Sequence, residues 1–160
     1  MKAMRIILAL SALAGVAALA ACTHAPARLS LNRDYGLFYN DQGETVALAY
    51  GLPNSDDVAL MLQCRKGSGR VELTDTARDA SATAIVLTAD GRRTSVPVRI
   101  EESEGAGGKI LTGHMPLSAP ALQGLRKSGL VEVAGGRSRY AIIIAEDQRP
   151  GVERFFKVCG

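Results

Sequence analysis

Short apolar runs, divided at near-regular intervals by turn-forming residues, constrain this chain more than any other feature. Residues 36–39, 45–50, 58–64, 70–73, 83–88, 94–100, 109–115, 131–133 and 139–145 are predicted as strands. Between them stand Asp41-Gln42-Gly43, the turn-rich stretch Leu52-Pro53-Asn54-Ser55-Asp56-Asp57, and Lys66-Gly67-Ser68-Gly69. Asp90-Gly91 between apolar runs signals a hairpin, because glycine accepts positive φ, and Gly135-Gly136 marks a second one. Pro97 cannot donate to a ladder, so its strand is expected at a sheet edge.

Two segments break the strand rhythm. Residues 118–128 place Ala121, Leu122 and Leu125 at helical spacing, with Gly129 at the expected C-terminal cap. Residues 150–159 place Val152, Phe155, Phe156 and Cys159 at i, i+3, i+4 and i+7, behind a proline suited to a first helical turn. The two phenylalanines read as core packing on the sheet, with a ligand pocket as the alternative. Many short strands with one or two short helices, one of them C-terminal, predict a mainly β fold. An antiparallel β-sandwich or barrel is expected, as a single domain over residues 34–160. Without tryptophan and with only seven Phe and Tyr residues, its core must be mainly Val, Ile, Leu and Ala.

The first residues carry an address. Lys2 and Arg5 precede a charge-free apolar run from Ile6 to Leu19, which Thr23, His24, Pro26 and Arg28 cut off short of membrane-spanning length. Residues 1–21 are therefore expected to be a signal peptide. Leu19-Ala20-Ala21-Cys22 resembles the bacterial lipobox, in which the cysteine thiol receives a diacylglycerol and becomes the first mature residue. The alternative is an ordinary signal cleaved in the alanine-rich stretch. On the lipobox reading Cys22 is the lipidation site and residues 22–33 are a lipidated tether. The domain then sits on the periplasmic side of the bacterial envelope, and Thr23 after the lipid site favours the outer membrane.

Export changes how charge and cysteines are read. Loss of Lys2 and Arg5 leaves seventeen basic against sixteen acidic residues, so the precursor's net charge of +3 gives no ground for nucleic acid as a partner. With Cys22 lipidated, Cys64 and Cys159 remain, and two thiols in an oxidising compartment are expected to pair. The bond would close a loop of about 96 residues, for which the chain-entropy model gives roughly 4–5 kcal/mol.

The residues suggest no assembled chemistry. A nucleophile needs a base, and beyond His24 in the tether only His114 offers one, without a nucleophile-elbow pattern around it. Two histidines and paired cysteines do not supply zinc, so no metal or other cofactor is expected. Asp56 and Asp57 beside Asn54 lack EF-hand spacing and read as a turn capped by its own side chains. Asp34, Glu44, Asp75 and Asp79 could offer paired carboxylates for glycan hydrolysis, but nothing in the sequence brings two together. Gly67-Ser68-Gly69 and Gly105-Ala106-Gly107-Gly108 lack the Lys-Ser/Thr of a phosphate cradle, and Glu101, Glu102 and Glu104 read as a solvated loop.

The stretch from Tyr50 to Asp57 (YGLPNSDD), through Leu62-Gln63-Cys64, together with Arg154-Phe155-Phe156-Lys157-Val158-Cys159-Gly160, resembles a group of uncharacterised secreted or lipid-anchored α-proteobacterial proteins. It is distantly similar to the invasion-associated locus B family. The resemblance implies a periplasmic β-sandwich with a cysteine late in an early strand and another near the C-terminus, and it carries over no catalytic residues.

The expected function is a non-catalytic envelope lipoprotein, held on the membrane by its lipid and acting on an envelope protein or peptidoglycan. One alternative is an inhibitor of a wall-lytic enzyme, for which Ser138-Arg139-Tyr140 offers a weak likeness to the loop of lysozyme inhibitors. The other is a carboxylate-dependent hydrolase.

Overall fold

A computed structural model describes residues 27–28, 34–76, 82–102 and 109–160. The signal segment 1–21, Cys22, His24, Asp79 and the Glu104–glycine loop lie outside the described residues, as does the tether apart from residues 27–28.

The strands are β1 (Ala27–Arg28), β2 (Gly36–Gln42), β3 (Thr45–Gly51), β4 (Val58–Arg65), β5 (Arg70–Asp75), β6 (Ala84–Ala89), β7 (Arg92–Glu102), β8 (Lys109–Pro116), β9 (Leu130–Gly135) and β10 (Ser138–Ile143). The helices are α1 (Pro120–Ser128) and α2 (Arg149–Cys159). Strands β2 to β10 form one antiparallel sheet that curls into a half-barrel, in the order β10-β9-β6-β7-β8-β5-β4-β3-β2. β1 adds a short parallel pairing outside β10. Asp90 and Gly91 both take positive φ, 49° and 69°, in the tight turn that the Asp-Gly pair predicts.

β7 makes the curl. Its first half pairs with β6, from Ala89↔Arg92 to Ala84↔Pro97, and its second half pairs with β8, starting at Val98↔Gly113. Pro97 therefore marks a corner in the middle of the sheet, which corrects the edge position expected for its strand. The proline sits where one ladder ends and the next begins, so its missing N–H breaks neither run. The following N–H, of Val98, donates to the Thr83 carbonyl at 3.1 Å. Gly113 lets β8 pass under this corner: a Cβ there would lie 2.6 Å from the Pro97 carbonyl oxygen and 2.7 Å from Val96 Cγ1.

Residues opposed across an antiparallel ladder share a face. The register aligns Val46 with Cys64, Leu48 with Leu62, Leu62 with Leu73, Leu87 with Val133 and Val131 with Ile142, all buried on the concave side. α1 sets Ala121, Leu122 and Leu125 into this concavity against β6, β7 and β9. α2 sets Val152, Phe155, Phe156 and Cys159 into it against β2 and β3. Phe155 is wholly buried, and its ring meets that of Phe156 edge to face at 6.0 Å. All these side chains belong to one core cluster, as expected for a core of Val, Ile, Leu and Ala.

Candidate functional site

The chemistry-bearing residues gather at three places. The first is the disulfide between Cys64, near the end of β4, and Cys159, the last residue of α2, with Cα atoms 5.9 Å apart. The β4–β5 turn is laced to the same helix end. Gly67 N–H donates to the Val158 carbonyl at 2.9 Å and Gly69 N–H to the Cys159 carbonyl at 2.8 Å. These bonds satisfy carbonyls that a helix terminus leaves without intrahelical donors. The Gly67-Ser68-Gly69 turn is thus a clamp on α2.

The second place is a groove of about 280 Å³ on the convex face, beside the clamp, lined by Thr45, Gln63, Cys64, Arg65, Ser68, Arg70, Glu72 and His114. Strand alternation builds it: Gln63 opposes Glu72 and Glu72 opposes His114, so the three project in one row across β4, β5 and β8. His114 Nδ1 lies 3.8 Å from Glu72 Oε2, and both side chains are nearly half-exposed. Ser68 is committed to its own turn, its hydroxyl donating to the Arg70 carbonyl at 3.1 Å and accepting from the Arg70 N–H at 3.3 Å. Two guanidiniums, an imidazole, an amide and one carboxylate make this a surface for polar or anionic groups. His114 lies on the surface near the end of β8.

The third place is inside. Asp75 ends β5 facing the concavity, and it accepts a 2.9 Å hydrogen bond across the core from the Tyr140 hydroxyl of β10, linking an interior strand of the curled sheet to a strand near one of its ends. Burial pushes the Asp75 carboxyl up to about 6, against the lowering effect of the Tyr140 bond. Burial, with Asp75 beside it, also raises the Tyr140 hydroxyl well above its ordinary value. The sequence does not single out this pair. Its signal is the alternation Val71, Leu73, Asp75, which turns all three residues to one face.

The remaining candidates are dispersed. Asp57 N–H donates to Ser55 Oγ at 2.9 Å and Leu52 N–H to the Asp57 carbonyl at 2.9 Å, closing the expected self-capped turn, in which Asn54 takes φ 55°. Asp57 also accepts from the Tyr35 hydroxyl at 2.6 Å. Asp75 opposes Leu60, whereas Glu44 precedes Thr45, which opposes Arg65. That offset puts the two carboxylates about 17 Å apart along the sheet, far beyond a hydrolytic pair. Asp34 is on the surface before β2. Ser138, Arg139 and Tyr140 lie in β10 rather than in a loop, with Tyr140 turned inward. Among the described residues no three His, Cys, Asp or Glu side chains group as metal ligands.

Together these features define a class: a disulfide-closed antiparallel half-barrel whose concave face is filled by two helices. No protein-family model, curated protein or solved structure matches the chain.

Proposed function

We propose that this chain is a non-catalytic envelope lipoprotein, anchored through Cys22 and acting by contact with an envelope protein or peptidoglycan. The observation that carries the reading is the cysteine arithmetic. Cys64 and Cys159 are joined, which leaves Cys22, at the end of the apolar run, as the one thiol for another use. A disulfide is at home in an oxidising compartment, and that is where a signal of this kind delivers a chain. The anchor is on the periplasmic side, and Thr23 favours the outer membrane. The convex face, with its groove of arginines, Gln63, Glu72 and His114, is the surface offered for contact.

Metabolic labelling with an alkyne fatty acid tests the anchor. Label is expected on the wild-type chain and on the Cys64→Ala/Cys159→Ala variant, and lost in Cys22→Ser. Label that persists in Cys22→Ser would refute the assignment. A photo-crosslinking residue at Gln63 tests the contact surface in intact envelopes. A discrete adduct that is lost on Arg65→Glu/Arg70→Glu is expected, and an adduct pattern unchanged by that substitution would contradict it.

A further inference from the structure

One edge of the sheet is tied closely to the anchor. β1 places Ala27 opposite Ser138 and Arg28 opposite Arg139, so the chain is fastened to β10 only five residues after Cys22. Five residues reach at most about 17 Å, whereas a free tether over residues 22–33 would reach about 40 Å. Each headgroup layer takes up about 5–8 Å. A lipid on Cys22 therefore holds Ala27 and the start of β10, at Ser138, within about 10 Å of the headgroup surface, and the other end of β10, at Ile143, lies about 17 Å further along the strand.

The outer face of β9 and β10 that runs from this point is unlike the rest of the convex side. Alternation turns Arg139, Ala141 and Ile143 outward on β10, opposite Ala134, Glu132 and Leu130 of β9. Ile143 is 69% exposed and Leu130 is 40% exposed, and the two are direct cross-strand neighbours. Two of the three large hydrophobic side chains exposed among the described residues are thus this pair. Arg139, at the end of β10 where β1 attaches, offers a guanidinium suited to lipid phosphate.

We propose that this outer face of β9 and β10 rests on the phospholipid surface of the membrane that holds Cys22. The inference rests on lipidation of Cys22 and adds an orientation: the sheet lies with β10 toward the bilayer and the opposite edge, β2, away from it. The groove lined by Gln63 and His114 belongs to the β4, β5 and β8 part of the sheet and stays accessible to a partner.

The test uses the purified, acylated, full mature protein in vesicles of phosphatidylethanolamine and phosphatidylglycerol that carry a headgroup-level quencher lipid. With Cys22 capped and Cys64–Cys159 closed, a cysteine introduced at the surface is the sole reactive thiol. Ile143→Cys, Ala141→Cys and, on β2, Asn40→Cys each receive the same polarity-sensitive fluorophore. Several-fold stronger quenching and a blue shift are expected at positions 143 and 141 relative to 40. Equal quenching at all three would overturn the orientation, as would an unquenched probe at 143 that crosslinks to a second copy, which would assign the face to self-association. Intact mass of each sample separates the two levels. An unacylated chain removes the anchor and the orientation together, whereas an acylated chain with equal quenching removes only the orientation.

Discussion

Asn in place of Asp75 should change how stability depends on pH, in a way that burial of this one carboxyl dictates. The group moves from an ordinary value of 3.8 to about 6 in the folded chain. A difference of about 2.2 pKa units corresponds to about 3 kcal/mol. Because the folded-state value is the higher one, the folded chain binds the proton more tightly than the unfolded chain. The cost of ionising Asp75 is therefore absent below about pH 3.8, grows as pH rises, and is complete above about pH 6. An asparagine at this position cannot ionise, and its side-chain carbonyl still accepts from Tyr140, but its amide N–H groups enter a buried site at a cost of about 1–3 kcal/mol. The informative quantity is thus the change in the stability difference with pH. The difference between Asp75→Asn and wild type should move by up to about 3 kcal/mol in favour of the variant between pH 4 and pH 7. Asp41, Asp90 and Glu153 are held below their ordinary values by Lys66, Lys127 and Arg126 respectively, and their contributions are common to both proteins and cancel. Urea unfolding of residues 23–160, exported behind a cleavable signal, measures this at each pH. Parallel stability curves for the two proteins would refute the burial of Asp75 in the concavity against β10.

Tyr140→Phe removes the donor that favours the ionised carboxylate, so the loss of stability from pH 4 to pH 7 should steepen beyond wild type in the same titration. Breaking the disulfide with Cys159→Ser should cost about 2–5 kcal/mol by urea unfolding, and a value below about 1 kcal/mol would mean that the clamp of Gly67 and Gly69 on α2 does most of the holding. Gly113→Ala should cost about 1–3 kcal/mol by the same measurement, because the added methyl meets the Pro97 carbonyl at the corner of β7. By contrast, Glu153→Gln should change stability by no more than about 1 kcal/mol, since its 2.6 Å pairing with Arg126 is exposed and screened.

The strand positions are legible because each depends on local alternation and turn chemistry. TVALAY, VALMLQC and TAIVLT form β3, β4 and β6 within a residue or two, and Val152, Phe155, Phe156 and Cys159 give the buried face of α2. The pairing of Cys64 with Cys159 follows from counting thiols. Pro97 misleads because a missing N–H reads the same at an edge and at a corner, and only the long-range choice of β8 as second partner separates them. β1 is unreadable because its two residues have no pattern of their own and are strand only through β10. The groove depends on a row across β4, β5 and β8, and the order of those strands is a property of topology rather than of any segment. The burial of Asp75 can be read from the parity of Val71 and Leu73, but its partner, 65 residues away, cannot.

Intact mass spectrometry of the native protein, taken from membranes before and after alkylation and reduction, bears most directly on how the chain is held and closed. The expected species begins at residue 22, carries the added mass of acyl chains, takes up no alkylating agent as isolated, and takes up two equivalents only once reduced. An unmodified chain beginning at Met1, or free thiols at Cys64 and Cys159 before reduction, would contradict it.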